Sequence, residues 1–245
     1  MIITAFIMKK IILESIYEAF DSWALQFSPA CRKGCSTCCT QDVMVTAVEA
    51  ETVLDHISEN HMEKWLAAKL DCDLPRITPS FTTNENAQAC LNGTELAPEP
   101  GSNGGVCPFL ENGACAIYSA RPFSCRSFAS AMICRPGTNA AIPQHYMTAV
   151  TAVSQVIEHL DQRYLWGNML HVMYLLAQQD SKTEDPRYPE NKKRLVCAQT
   201  SCRTSKPLPG FLIPEEDFPH LEPLIREIFD TKIGARRLED ILNNR

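Results

Sequence analysis

No apolar run in this sequence approaches the roughly 18–20 residues that a membrane-spanning helix needs. Basic charge is also in short supply: 23 Lys and Arg face 29 Asp and Glu, a formal net charge of −6. Nucleic-acid wrapping requires the opposite balance, so neither a membrane nor a nucleic-acid partner is expected. The glycine patterns GxGxxG and GxxxxGK[ST] are missing, as are GxSxG and HExxH. Nucleotide-binding and hydrolase readings therefore have no motif to stand on. The six histidines (His56, His61, His145, His159, His171 and His220) never fall at a metal-ligand spacing. The start imitates a signal peptide only briefly. Lys9 and Lys10 follow the first apolar run, Glu14, Glu18 and Asp21 interrupt the second, and no small-residue cleavage site comes after. With Met1 or Met8 as the start, a cytoplasmic protein with reduced thiols is expected.

Against those absences stand twelve cysteines. In a reducing compartment such a density points to metal sites or reactive thiols before disulfides. Cys31-x3-Cys35-x2-Cys38-Cys39 packs four thiols into nine residues, with Gly34 available for a tight turn. Spacings of two or three residues let one loop curl around an ion and offer it several thiolates. A second group, Cys107, Cys115, Cys125 and Cys134, is more widely spread. Neighbours in extended chain point to opposite faces, so Cys38 and Cys39 serve one ion only if the backbone bends sharply. The two groups then build either one polynuclear site or two sites that share a wall, and their sulfurs are expected to meet. Arg32, Arg126, Arg135 and Arg203 each follow a cysteine, and Arg121 lies nearby. Their guanidinium groups are candidates to offset thiolate charge. Cys72 and Cys90 read as small buried hydrophobes. Cys197-x4-Cys202 fits an auxiliary ligand pair, a redox pair or neither.

Periodicity predicts a mainly α protein, a helical domain with a cysteine-rich, loop-dominated metal site and one short β-hairpin. Residues 1–245 read as one domain: an N-terminal helix in 1–30, a cysteine core at 31–135 and a helical part at 136–245. Ile12, Ile16, Ala19, Phe20, Trp23 and Phe27 recur at helical spacing. Thr46 and Glu49 form a capping-box signal for a helix over 46–58, and another is expected over 61–71. Residues 73–105 lose periodicity and read as irregular. Glu111-Asn112-Gly113 between apolar runs predicts the hairpin. A three-residue loop there puts Cys107 and Cys115 on one face, whereas a two-residue Asn112-Gly113 turn separates them, so a shared ligand role favours the three-residue loop. Pro143 opens the longest helical pattern, 143–178, with Met147, Val150, Ile157, Leu160, Tyr164, Val172 and Leu176 as core candidates and Gly167 as a kink or a close helix contact. Residues 180–219 read as mostly irregular, and two helices close the chain at 220–230 and 234–243.

Cys31-x3-Cys35-x2-Cys38-Cys39, Cys107-Pro-Phe-Leu, Cys115-Ala-Ile-Tyr118 and Arg121-Pro122-x2-Cys125-Arg126 together resemble the YkgJ-type cysteine-cluster family. That family's CxxCxxCC domain is described as chelating zinc or iron. The resemblance spans residues 31–128 and implies Cys31, Cys35, Cys38, Cys39, Cys107, Cys115 and Cys125 as ligands. For an eighth, Cys134 is nearest, with Cys90 behind it. The implied cofactor is zinc or iron, the iron alone or in an iron–sulfur cluster. One branch resembles flagellin lysine-N-methylase, which implies an alternative: a cluster-associated methyltransferase acting on a protein substrate. The missing glycine loop weighs against a Rossmann-type methyltransferase. The insert at 73–105 departs from the tightest family pattern.

Overall fold

The computed structural model describes residues 2–71, 78–97, 105–135, 139–180 and 191–243. The chain is mainly α-helical. Helix α1 (Ile2–Ala24) ends in a short 3-10 turn at Leu25–Phe27, followed by the irregular cysteine loop. Strand β1 (Met44–Thr46) leads into α2 (Ala47–Glu59), then α3 (Glu63–Leu70) and α4 (Thr83–Leu91). The hairpin β2 (Leu110–Glu111) and β3 (Ala114–Cys115) precedes the one-turn helix α5 (Phe123–Arg126). Helix α6 (Gln144–Leu160), β4 (Leu165–Asn168), α7 (Met169–Asp180), α8 (Lys192–Ser201) and β5 (Arg203–Thr204) follow. The chain finishes with α9 (Phe218–Asp230), a second hairpin β6 (Lys232–Ile233) and β7 (Arg236–Arg237), and α10 (Leu238–Leu242). Among the described residues no helix is long and apolar enough to cross a membrane.

Two cores meet at α2. One gathers Val53 and Ile57 of α2, Leu66 and Leu70 of α3, most of α7, and Phe109 and Ile117 beside the first hairpin. The other packs Ile12, Ile16 and Phe20 of α1 on Ala149, Val153 and Val156 of α6 and on Leu221, Leu224 and Ile228 of α9. Val48 and Phe123 belong to this second cluster. A small antiparallel sheet, order β1-β4-β5, joins the first core through Val45 and Leu165, pairing Val45 with Gly167 and Trp166 with Arg203.

Buried carboxylates tie these layers together by sitting on helix N-termini, where backbone N–H groups lack intrahelical partners. Glu49 completes the expected capping box, accepting from Thr46 N and Thr46 Oγ1, both at 2.9 Å. Its other oxygen accepts from Tyr17 Oη of α1 at 3.0 Å and from Phe123 N, the first residue of α5, at 2.8 Å. Glu158, in the last turn of α6, accepts from Asn84 N at the start of α4 and from Lys206 N. Asp161, just past α6, accepts from Val48 N of α2 and from Lys9 Nζ. Burial pushes all three carboxyls up from their ordinary values.

Several expectations change. The 143–178 helix is two helices: the chain leaves α6 at Asp161, passes Arg163 at φ +76° and enters β4, which pairs with β1. Met147 and Tyr164 are consequently exposed and Val150 is half-buried, while Ile157, Leu160, Val172 and Leu176 are buried as expected. Gly167 lies in that strand; a Cβ there would meet Cys202 Sγ at 3.2 Å and its Cα at 3.3 Å, so close approach explains the glycine. The 73–105 stretch, expected to be irregular, contains α4, which starts at its own capping box of Thr82 with Glu85; 72–77 and 98–104 lie outside the described residues. Helix α8 likewise interrupts the expected irregularity of 180–219, and residues 232–237 form a hairpin rather than the start of the last helix. The first hairpin has the two-residue turn, pairing Leu110 with Cys115, because Asn112 (φ +50°) and Gly113 (φ +77°) both take the left-handed conformation that matches strand twist.

Two outcomes follow. Glu49→Ala should lower unfolding free energy in urea by about 3 kcal/mol or more, since it leaves buried Tyr17 and backbone donors unpaired. His159 supplies a pH dependence. Its Nδ1 accepts from Leu208 N at 3.0 Å and its Nε2 lies 3.2 Å from the Leu242 carbonyl, so the ring is held neutral and burial lowers its pKa. A depressed histidine contributes stability that is whole above the unfolded value of about 6.5 and lost as pH falls through the folded value. The margin by which the wild type exceeds His159→Gln in urea melts should therefore shrink from about pH 7.5 to pH 5.5, whatever the raised carboxyls contribute to both proteins.

Candidate metal centre

The polypeptide brings the two cysteine groups together by local pairing of the segments that carry them. Residues 39–41 run antiparallel to 105–107: Cys107 N donates to Cys39 O at 3.1 Å, Gln41 N to Gly105 O at 2.8 Å, and Thr40 bridges Val106. Gly105 is close to Gln41, whose side chain would lie 2.9 Å from a Cβ at that position. Upstream, Cys35 N bonds Arg32 O and Cys39 N bonds Ser36 O, two successive turns that wind the loop, with Gly34 at φ +92° between Lys33 and Cys35. Cys115 ends β3 and Cys125 rides on α5. That one-turn helix is fixed by Glu49 at its N-terminus and by Ser124 Oγ, which donates to Met44 O at 2.6 Å.

The result is one cavity of about 360 Å³ whose wall includes Cys31, Cys35, Cys38, Cys39, Cys107, Cys115 and Cys125. Seven of the eight expected ligands are therefore brought together. Cys134 does not line the cavity, but its segment is held beside Cys31 by Ala30 N donating to Ser130 O at 2.8 Å. Cys107 and Cys115 reach the same cavity despite the two-residue turn, because Cys107 precedes the strand in a turn closed by Leu110 N to Cys107 O. The alternation of a pleated strand does not extend to it. All eleven described cysteines are free thiols. Among the described residues no three His, Cys, Asp or Glu side chains already stand in an ion-holding arrangement.

Burial is graded across the wall. Cys107, Cys115 and Cys125 pack against the α2–α3–α7 core, whereas Cys35 and Cys38 are exposed. Burial, reinforced by Cys107 and Cys115, raises the Cys125 thiol furthest of this group; Cys38 is exposed as a whole residue, but partial burial of its thiol, with Cys39 and Cys31 beside it, pushes it to about 11. Burial also raises Cys39, with Cys107 and Cys115 adding to it, and raises Cys31, where Cys35 and Cys134 add. Soft thiol donors at this density suit zinc or iron, and as neutral thiols they exchange S–H for S–metal bonds on binding.

Of the five arginines, Arg121 faces the thiols. Its guanidinium stacks 3.7 Å from the Tyr118 ring centroid, lines the cavity and opposes the upward shifts of Cys31, Cys39, Cys115 and Cys125. Arg126 also borders the cavity, but its guanidinium pairs with Asp21 at 2.8 Å and lies over Tyr17. Arg32 is in the wall; Arg203 lies elsewhere, donating to Pro79 O and Glu85. Cys90 is exposed on α4 instead of buried, and Cys202 sits against Gly167, its thiol raised to about 12 by burial. Cys72 lies outside the described residues.

The periodicity of α1 pointed to a core-facing helix and missed that its end also builds the cavity. Phe20, Ala24 and Leu25, together with Phe128 and Tyr146, give the cavity an apolar part of its wall besides the thiols. The only advance signal of Glu49's second role was the capping box itself. In metal-free protein, timed alkylation read by mass spectrometry should modify exposed Cys35 and Cys90 before Cys125, by about tenfold or more in rate, because burial shields the Cys125 thiol and holds it protonated.

Comparison with known proteins gives one match. A family model, CxxCxxCC, described as "Putative zinc- or iron-chelating domain", covers residues 30–153. No curated protein and no solved structure matches.

Proposed function

The chain belongs to the CxxCxxCC family, matched over residues 30–153, and from that premise we propose that it binds zinc or iron through Cys31, Cys35, Cys38, Cys39, Cys107, Cys115, Cys125 and Cys134. One observation carries the reading: seven of these thiols, from segments some 70 residues apart, line a single cavity. Four thiolates on a divalent ion leave a net charge of −2, and Arg121 is placed to offset it. The graded burial gives the ion a dry side against the core and an entry side at the exposed Cys35 and Cys38. The free thiols among the described residues fit a reducing, cytoplasmic setting.

A second reading has support in the apolar wall. A cavity of about 360 Å³ exceeds the needs of a bare ion and falls in the range of small-molecule sites. That space favours a catalytic centre in which an iron–sulfur cluster works on a bound molecule or protein side chain, as in a methyltransferase. Anaerobic purification followed by metal analysis and an absorbance spectrum separates the two readings. Colourless protein with zinc supports chelation alone; brown protein with iron and acid-labile sulfide supports the cluster.

Metal binding adds to folding free energy, on the order of 10 kcal/mol for structural zinc. Cys107→Ser should therefore lower the melting temperature of metal-loaded protein far more than Cys90→Ser, whose thiol is exposed. Chelator should lower the wild-type melting temperature toward that of Cys107→Ser. Equal shifts for the two variants would remove Cys107 from the ligand set.

A further inference from the structure

We propose that the eight thiols form two four-thiolate metal sites divided at the Cys38–Cys39 peptide: an inner site of Cys39, Cys107, Cys115 and Cys125, and an outer site of Cys31, Cys35, Cys38 and Cys134. The inference rests on the chelation reading above and adds the number, membership and inequality of the sites. A tetrahedral zinc takes four thiolates, so eight in one neighbourhood exceed what one ion uses.

The fold separates the two sets. Three of the inner four pack against the α2–α3–α7 core, and the fourth, Cys39, is held to them by its carbonyl, which accepts from Cys107 N at 3.1 Å. Every inner thiol is half-buried. The outer set is carried by loops: Cys35 and Cys38 are exposed on two successive turns, and the Ala30–Ser130 hydrogen bond brings the Cys134 segment beside Cys31. As whole residues Cys38 is exposed in the turn closed by Cys39 N and Ser36 O, and Cys39 is half-buried where the chain begins to pair with 105–107. The adjacency that is awkward for one ion is what two back-to-back sites require. Cys125 has Cys107, Cys115 and Cys39 as its electrostatic neighbours and Cys31 has Cys35 and Cys134, whereas Cys38 and Cys39, at the seam, each feel thiols of both sets.

On binding, each ion replaces four S–H bonds by four S–metal bonds, and the protons pass to buffer. Built on the core and a backbone hydrogen bond, the inner site should hold its ion more tightly; the outer loop has to order around its own and should exchange first.

The test uses the full chain, stripped of metal and reduced under anaerobic conditions, titrated with Zn²⁺ alone and with Co²⁺ alone. Wild type should bind about two ions per chain, four thiolates to each. The double variant Cys35→Ser/Cys38→Ser, altered only at exposed loop positions, should bind about one and keep the tetrahedral cobalt–thiolate absorption at roughly half intensity. A chromophoric chelator should strip wild-type zinc in two phases, of which this variant keeps only the slower. Wild type that binds one ion, or an outer variant that binds none, overturns the two-site assignment while leaving chelation intact. Wild type that binds neither metal overturns the chelation reading itself. Circular dichroism of the apo-proteins verifies that each variant is folded, so a missing equivalent reports a missing site.

Discussion

The Glu49 carboxylate is the constraint on which the rest of the arrangement depends. It is buried, and its two oxygens accept four hydrogen bonds from three separate parts of the chain: α1 through Tyr17, the β1–α2 junction through Thr46, and α5 through Phe123. A carboxylate removed from water is costly unless its lone pairs are satisfied. Satisfying them here requires α1, α2 and α5 to converge on one point. That convergence places Cys125, two residues past Phe123, at the cavity, whose wall also takes in α1's apolar end.

The same device recurs at the end of α6, where Glu158 and Asp161 accept from the first turns of α4 and α2. Three helix N-termini that would otherwise leave donors unpaired are thereby answered by acids from elsewhere in the chain. These bonds explain how a fold with only short strands keeps its loops in place. They also explain why so irregular a region as 28–40 can present thiols in order: both its flanks, α1 and β1, are anchored.

The chemistry of the cavity follows from inequality among its thiols. Core packing on one side and loop turns on the other give donors of one element two different environments. Arg121 is the cation common to both, acting on Cys31 as well as on Cys39, Cys115 and Cys125. A neutral substitute for it would leave several close thiolates without their offsetting charge.

Sequence by itself determined the elements whose signals are local. The amphipathic period of α1, the Thr46–Glu49 box that starts α2 and the Asn112-Gly113 turn each depend on neighbours within a few residues. The cysteine spacings were legible for a similar reason, since a loop that offers several thiolates must write them close together. The break between α6 and α7 was not legible, because β4 exists only where β1 pairs with it from over 100 residues away. The apolar run through 165–176 satisfies a helix or a buried strand equally well. Hairpin parity misled for a related reason: it governs residues inside a strand, and Cys107 lies before one. Tertiary structure alone decided which thiols face the core and which face the loop, because a short spacing limits which sulfurs can be close and says nothing of what packs behind them.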